Sequence, residues 1–367
     1  MMNRFMVLTF CRLCAMIEAR KEEREVWSPV TIKDVAKLAG VSVGTVSNYF
    51  NAPDKLSPRS FEKVRKVVDQ HGFQPNLTAK TMRTKETNMV AVVLPSITNP
   101  YYTILYDAIQ KACFEYGYTP IVYTTENGLG FLPRLLSPGN GQVDGVILAY
   151  LENDVQEYLK NLPPEAPVVQ LGIFAPESDI SCVVSNLRTG MVEAVEHLSA
   201  LGHSRIAYVE NTAENAVHTA EKKNALLAGM EKCGIPYDET LTFSGKSSFV
   251  TGFAAAKYFM ALKEPPTAIV AENDLTALGC LHFLNESGYK IPDDVAVVGF
   301  DDIWEASLCF PQLTTVHQCI KEIGSQAAGI LRDKLRNPKC KNSVVVYNTS
   351  LVIRKSTDKN APFSTYF

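Results

Sequence analysis

The run Val30-Thr-Ile-Lys-Asp-Val-Ala-Lys-Leu-Ala-Gly-Val-Ser-Val-Gly-Thr-Val-Ser-Asn-Tyr-Phe-Asn51 constrains this chain most, because it reads as two short helices joined by one tight turn. Thr31 stands at an N-cap position with Asp34 three residues on, and Val35, Leu38 and Ala39 form a small apolar stripe at helical spacing. Gly40 supplies a left-handed residue, which glycine reaches without steric cost, so the chain reverses within a few residues and buries Val41 between the helices. Ser42 caps the second helix, whose inward side is Val46. Val43, Gly44, Thr45, Ser47 and Asn48 are left on the outer face, where short side chains let a helix enter a major groove closely.

A third helix is expected next. Ser57-Pro58 is an N-cap followed by a proline at the first helical position, and Phe61, Val64, Val67 and Val68 repeat on one face until Gly72 stops the run. After Phe73-Gln74-Pro75, Asn76 is a further cap, but Leu77 to Arg83 is too short and too weakly patterned for a stable isolated helix. Charge follows the same division. From Trp27 to Glu86 there are ten Lys or Arg against five Asp or Glu, whereas residues 87 to 367 carry 21 against 30, so the overall balance of -3 conceals a basic end suited to phosphate.

With these motifs quoted, Thr31 to Arg83 resembles the DNA-binding headpiece of the LacI/GalR family of transcriptional regulators. The order Asp34-Val-Ala-x-x-Ala-Gly-Val-Ser-x-x-Thr-Val-Ser47, then Asn51, Arg59, Val64, Pro75 and Asn76, is nearly that family's spacing. The resemblance implies a hinge helix from Asn76 to Arg83 that orders on an operator, with Asn76, Ala79 and Lys80 at the DNA and Met82, in place of the usual leucine, as the minor-groove wedge. In the headpiece Val43, Gly44 and Asn48 are expected to read bases, and Thr31, Ser42, Thr45, Ser47, Asn51 and Lys55 to position phosphates. Asn48 has a second reading, as a residue that only solvates or caps a helix end.

From Asn88 the pattern changes to short apolar strands separated by amphipathic helices. Val90 to Leu94, Pro120 to Tyr123, Gly145 to Ala149 and Val168 to Leu171 are β-rich, with a helical period from Tyr102 to Tyr116. A second series has strands at Arg205 to Val209, Ala268 to Val270 and Val295 to Phe300, with helices at Gly190 to Leu201, Thr219 to Cys233, Phe249 to Leu262 and Leu275 to Ser287. Two lobes built on parallel sheets are the natural packing. The fold class expected is α/β, an all-α helix-turn-helix headpiece followed by a two-lobed domain.

This second region is similar to the family's effector domain, which is periplasmic-binding-protein-like, through Asn99-Pro-Tyr-Tyr102, Val143-Asp-Gly145, Ala271-Glu-Asn-Asp274, Ile291-Pro-Asp-Asp-Val-Ala-Val-Val-Gly-Phe-Asp-Asp302 and Leu313-Thr-Thr315. The likeness implies an N-terminal extension at 1–28, expected to be disordered, a headpiece at 29–75, a hinge and linker at 76–87, an effector and dimerisation domain at 88–357 and a tail at 358–367. It also implies three crossings between lobes, near Ser185, Val316 and Ser343, with one lobe from 88–185 and 317–343 and the other from 186–316 and 344–357. Effector contacts are expected from Tyr101, Tyr102, Ser185, Lys222, Asn273, Asp301 and Gln318, in a cleft at the carboxyl ends of the strands. For Asn273 and Asp302 helix capping and turn making are an alternative, and for Tyr101 and Tyr102 simple packing. Ser185 stands where that family often has an aspartate, Lys222 where a forked arginine is usual, and Ser247 near a position often aromatic. The first two exchanges remove bidentate partners, and together the departures point to a ligand unlike the commonest hexoses.

Other classes have little to rest on. There is no Gly-x-Ser-x-Gly elbow, Walker loop or metal-ligand cluster, and Cys11-x-x-Cys14 has no second pair, so no enzyme, metal or cofactor is expected. Met1 to Ile17 is apolar, but Arg12 interrupts it and no small-residue cleavage site follows. No stretch approaches the roughly 18 apolar residues of a membrane span. The partners expected are double-stranded operator DNA, a sugar-like effector and a second copy of the chain, in the cytoplasm at the nucleoid.

Overall fold

The computed structural model describes residues 30–73, 86–125, 130–136, 142–149, 159, 162, 166–172, 180–212 and 216–364. The expectations for the N-terminal extension and for Asn76, Ala79, Lys80 and Met82 of the hinge lie outside the described residues. The chain divides into two compact units, the second beginning at Glu86.

The first unit is three helices, α1 (Ile32–Ala39), α2 (Val43–Asn51) and α3 (Pro58–His71). Each begins on the residue its sequence nominates. The Thr31 hydroxyl accepts from the Asp34 amide while the Asp34 carboxylate accepts from the Thr31 amide, which closes the capping box, and Ser42 and Ser57 cap α2 and α3. Gly40 has φ 62° and its amide reaches the carbonyls of Ala36 and Lys37, so the turn uses the left-handed conformation that favours glycine. Val35, Ala36, Ala39, Val46, Val64, Val67 and Phe73 form the core, and Val41 is half-buried beside it. Leu38 departs from expectation and is 56% exposed. At about 100° per residue the middle of the buried arc falls between Val35 and Ala36, and Leu38 lies roughly a third of a turn away from it.

The second unit contains two six-stranded sheets. Strands β1 (Met89–Leu94), β2 (Thr119–Thr124), β3 (Gly145–Leu148), β4 (Val168–Gly172), β5 (Ser181–Asn186) and β11 (Val344–Asn348) pair in the order β11-β5-β4-β3-β1-β2. Strands β6 (Ile206–Asn211), β7 (Thr242–Gly245), β8 (Ala268–Ala271), β9 (Ala296–Asp301), β10 (Thr314–His317) and β12 (Ser350–Val352) pair in the order β12-β10-β9-β8-β6-β7. All pairings are parallel except β10 with β12. The inner strands are buried on both faces, which explains why they appear in the sequence as unbroken Val/Ile/Leu runs rather than alternations.

Helices cover those faces. In the first lobe α4 (Pro100–Glu115) and α11 (Ile320–Arg336) pack through Leu105, Ile109, Ile323 and Ala327 onto β1, β3 and β4, and the short α5 (Leu132–Leu136) contributes Leu132 and Leu135 to the opposite face. In the second lobe α6 (Leu187–Ala200) and α7 (Ala216–Lys232) cover one face, and α8 (Phe249–Met260) and α9 (Asp274–Glu286) the other. The short α10 (Trp304–Leu308) follows β9.

The chain crosses between lobes after β5, after β10 and at Thr349. The third crossing therefore stands at Thr349, not near Ser343. Residues 344–348 form the edge strand of the first lobe, paired in register from Val344 with Cys182 to Asn348 with Asn186, and only the residues after Thr349 belong to the second lobe. The Thr349 side chain, 3% exposed, accepts from the Gly190 amide at 2.9 Å and donates to the Asn186 carbonyl at 2.7 Å, which ties the first and third crossings together.

Candidate functional site

Two sets of residues are assembled. On α2, the buried Val46 fixes which way the helix is turned, and Val43, Gly44 and Asn48 are exposed on its other side. A Cβ added to Gly44 would meet only the Ser42 hydroxyl, at 3.6 Å, so no packing within the fold demands glycine there. The Asn48 side chain makes no hydrogen bond and its amide is open to a base edge, whereas Asn51 donates to the Ser47 carbonyl at 2.8 Å and closes the end of the helix. Hydroxyls expected at phosphates also work inside the fold. Thr31 donates to Asp34 at 2.6 Å, and Ser42 and Thr45 share a hydrogen bond of 3.0 Å. Hydrogen bonds from Thr31 hold the Asp34 carboxyl below the usual range, which fits a carboxylate at a helix N-terminus. Lys55, just after α2, is exposed.

The second set lines a cleft between the two lobes, at the carboxyl ends of β1, β4, β6, β8 and β9. Six of the seven expected effector residues are there: Tyr101, Tyr102, Lys222, Asn273, Asp301 and Gln318. Ser185 is not. It sits on β5 opposite Tyr347 of the edge strand β11, two strands away from β3, so a strand-end polar residue at a crossover does not reach the cleft in this sheet order. Asn211, Thr219 and Glu272 are lining residues that sequence reasoning missed, and Ser247, singled out in the sequence only as a departure from the family, lines the cleft as well. Glu272 was open to the rule that found Asn273, a polar residue following a buried strand, and Asn211 ends β6 in the same way.

Each side chain is held by its element. Asn273 caps α9 by accepting from the Thr276 amide at 2.9 Å and also donates to the Ser247 hydroxyl at 2.9 Å, so it caps and lines the cleft at once. The Ser247 hydroxyl in turn donates to the Glu272 carboxylate. Lys222, 6% exposed, donates to the Glu272 main-chain carbonyl at 2.6 Å and lies 4.2 Å from the centre of the Phe300 ring, a cation over an aromatic face. Tyr101 and Tyr102 pack edge to face, 5.1 Å apart, against the first-lobe core and on the cleft wall together. Burial and the nearby Asp301 carboxylate push the Tyr101 phenol well up, so it stays a neutral hydrogen-bonding group.

Asp301 has φ 118°, a backbone conformation that costs an L-residue about 1–3 kcal/mol and survives where its surroundings fix it. It is 5% exposed and its carboxylate accepts from Gln318 at 2.7 Å. Burial pushes the carboxyl up to about 7, against the pull of Lys222 and Gln318, with Glu272 adding to the rise. Burial likewise raises Glu272, while Lys222 opposes the shift. Asp274, behind the cleft, accepts from the Ile303 amide at 2.8 Å and the Thr315 hydroxyl at 2.5 Å, and burial followed by repulsion from Asp301 raises it to about 8. Asp302 has a different role, in line with its reading as a structural turn residue. Its carboxylate is paired with Arg354 at 2.7 Å and with His317 at 2.9 Å, and the residue is not part of the cleft lining. Burial favours its neutral form, but these two partners outweigh burial and hold it below the usual range.

Replacing Asp301 by asparagine is expected to raise the melting temperature of the ligand-free protein. The folded carboxyl titrates near 7, against about 4 when unfolded. Between those values the folded chain keeps a proton that the unfolded chain has released, so the parent loses stability as pH rises through that window, and the amide does not. The gap between Asp301→Asn and parent should widen from pH 4 to 7 and then level off, as melts in a buffer series would show. A gap independent of pH contradicts the burial argument.

A helix-turn-helix with an open reading face, in one chain with two parallel-sheet lobes around a polar cleft, defines the class of ligand-responsive DNA-binding regulators. Residues 31–76 match the model of the bacterial regulatory proteins of the lacI family, and 195–357 match a periplasmic binding protein-like domain. The regulator DegA of Bacillus subtilis is 32% identical over 334 residues, covering 89% of this chain and 98% of that one. The repressor PurR of Mannheimia succiniciproducens is 28% identical over 335 residues, covering 90% and 99%. Among solved structures, the Lac repressor dimer bound to operator and the anti-inducer ONPF has a TM-score of 0.78 at 25% identity, covering 90% of this chain and 99% of that one. The chain belongs to the LacI family, and it is a DNA-binding transcriptional regulator rather than an enzyme. Among the described residues no helix is long and apolar enough to cross a membrane.

Proposed function

We propose that the protein is a repressor that binds a pseudo-palindromic operator as a dimer, in the cytoplasm at the nucleoid, and that a small polar metabolite in the cleft between the lobes controls its affinity. The observation that carries this reading is the cleft itself. Polar side chains from both lobes converge on it, and α2 presents Val43, Gly44 and Asn48 without internal obligations. The solved complex of the Lac repressor contains a dimer, an operator and an anti-inducer, and the same arrangement is carried over here as a proposal.

The mechanism follows from linkage. Each subunit's α2 enters one major-groove half-site, and base edges are read by a few side chains while phosphate contacts set register. A ligand that bridges residues of both lobes favours one closure of the cleft. Any difference in DNA affinity between closure states then appears as a coupling free energy, typically about 1–3 kcal/mol, and its sign makes the ligand an inducer or a corepressor. Tyr101, Tyr102 and Gln318 on one side and Lys222, Asn273 and Asp301 on the other are the residues proposed to make that bridge.

Asn48→Ala is expected to relax discrimination at one base pair of the half-site by about 1–3 kcal/mol while leaving affinity for other positions intact. Binding to a set of single-base operator variants checks it. An equal loss on every variant assigns Asn48 to phosphate positioning or to the helix end instead. Ligand control is tested by melting the protein with sugars, sugar phosphates and purines, since a ligand that binds only the folded state raises the melting temperature. No rise with any compound counts against the effector reading.

A further inference from the structure

The charges of the cleft do not balance. Among the described residues its wall carries two carboxylates, Glu272 and Asp301, and one ammonium, Lys222, all less than 8% exposed. That ammonium is already committed to a main-chain carbonyl and to the face of Phe300. Among the described residues neither carboxylate has a cationic nitrogen within ion-pair distance: Asp301 receives the Gln318 amide, and Glu272 the Ser247 hydroxyl. The contrast is one residue away in the sequence, where Asp302 receives both a guanidinium and an imidazole. Carboxylates removed from water are costly unless they are paired, and here the pairing is withheld at the two that face the cleft.

We propose that the effector of this chain is a small polyol bearing a positively charged amine, with its ammonium held by Glu272 and Asp301. The inference rests on the reading of the cleft as the effector site and specifies its ligand. A positive charge supplies what both carboxylates lack. Charge-assisted hydrogen bonds to them are shorter and stronger than those a hydroxyl makes. The side-chain amides of Asn273 and Gln318 are suited to the ligand's hydroxyls, and the edge-to-face tyrosine pair offers an apolar wall for its carbon skeleton. An anionic ligand such as a sugar phosphate meets the opposite situation, with two like charges and one ammonium that is already engaged. The backbone of Asp301 supports the same assignment, since its φ of 118° is maintained at the residue that would receive the ammonium. Glu272 is the specificity-determining residue, because it turns a site for a polyol into a site for a cation.

The test compares matched pairs on the full chain by melting and by titration calorimetry: glucosamine with glucose, galactosamine with galactose, mannosamine with mannose, and tris(hydroxymethyl)aminomethane with pentaerythritol. At least one amine is expected to bind ten times or more tighter than its neutral partner. Glu272→Gln, which keeps the shape and a hydrogen-bonding group beside Ser247, should remove most of that preference, read as the ratio of the amine's affinity to that of its neutral partner on the same variant. A neutral compound that binds as well as its amine, or a preference that survives Glu272→Gln, overturns the charge assignment and leaves the effector cleft standing. No binding by any member of the panel overturns the amine proposal, and if the wider ligand screen is also empty the effector reading falls with it.

Discussion

Gly252→Ala is expected to destabilise the second lobe by about 3 kcal/mol or more, beyond the usual range for an added core methyl. α8 and α9 cross so closely that a Cβ on Gly252 would stand 1.8 Å from the Thr276 carbonyl oxygen, and one on Gly279 would stand 2.0 Å from the Phe249 carbonyl oxygen. Both obstacles are backbone, which no rotamer change can move aside. The helices must separate, and Ala255, Ala256 and Phe259 on one and Ala277, Cys280 and Leu281 on the other, all essentially buried, lose their fit against β8 and β9. The midpoint in a thermal melt should fall by roughly 5–10 °C. Gly329→Ala is the control. Its Cβ would meet nothing nearer than the Tyr116 hydroxyl at 3.9 Å, in the middle of α11, so it should gain up to about 1 kcal/mol from helix propensity. A Gly252→Ala protein that melts with its parent contradicts the close crossing.

Arg354→Met is the second large effect. Arg354 is 2% exposed and its guanidinium serves three elements, donating to the Asp302 carboxylate at 2.7 Å, the Leu313 carbonyl at 3.0 Å and the Ser364 hydroxyl at 2.7 Å. Removing one partner of a buried pair typically costs about 3–5 kcal/mol, because the remaining charge is left without compensation. The sign of the pH dependence follows from the direction of the Asp302 shift. In the parent its carboxyl is held low by His317 and Arg354 in spite of burial, so that contribution is present above the unfolded value and is lost as pH falls through the folded value. Without Arg354, burial dominates and the carboxyl rises. The penalty should therefore be largest at neutral pH and shrink in acid, where Asp302 can take up a proton. Asp302→Asn added to Arg354→Met should recover part of the loss, and a double-mutant cycle in urea measures it. A strictly additive cycle denies the pair its role.

Much of the architecture was legible in the sequence for reasons that can be named. Caps are local, so Thr31, Ser42, Ser57 and Gly40 declared the headpiece helices and its turn. Buried parallel strands are unbroken apolar runs, so β1, β3, β4, β8 and β9 stood out. Edge strands were harder. Residues 344–348 alternate between exposed and half-buried, and their partner strand is more than 150 residues earlier in the chain, so nothing local placed the third crossing at Thr349. Ser185 is placed outside the cleft lining for the same reason, since sheet order rather than strand position decides which strand ends meet the cleft. Leu38 shows the limit of a stripe drawn from hydrophobicity alone, because the small Ala36 takes the packed position and the larger leucine stays outside. The cleft residues found in advance were polar side chains just after strands. Glu272 satisfies the same rule, since it directly follows β8 just as Asn273 does one residue later.

The central claim is that the first unit reads a specific DNA sequence. Its most direct test is selection of genomic fragments by the purified full chain, and by the chain starting at Glu86, where the second compact unit begins, with the bound fragments sequenced. One enriched pseudo-palindromic site is expected for the full chain and none for the shortened one. Equal enrichment by both chains, or no enriched palindrome with the full chain, contradicts it.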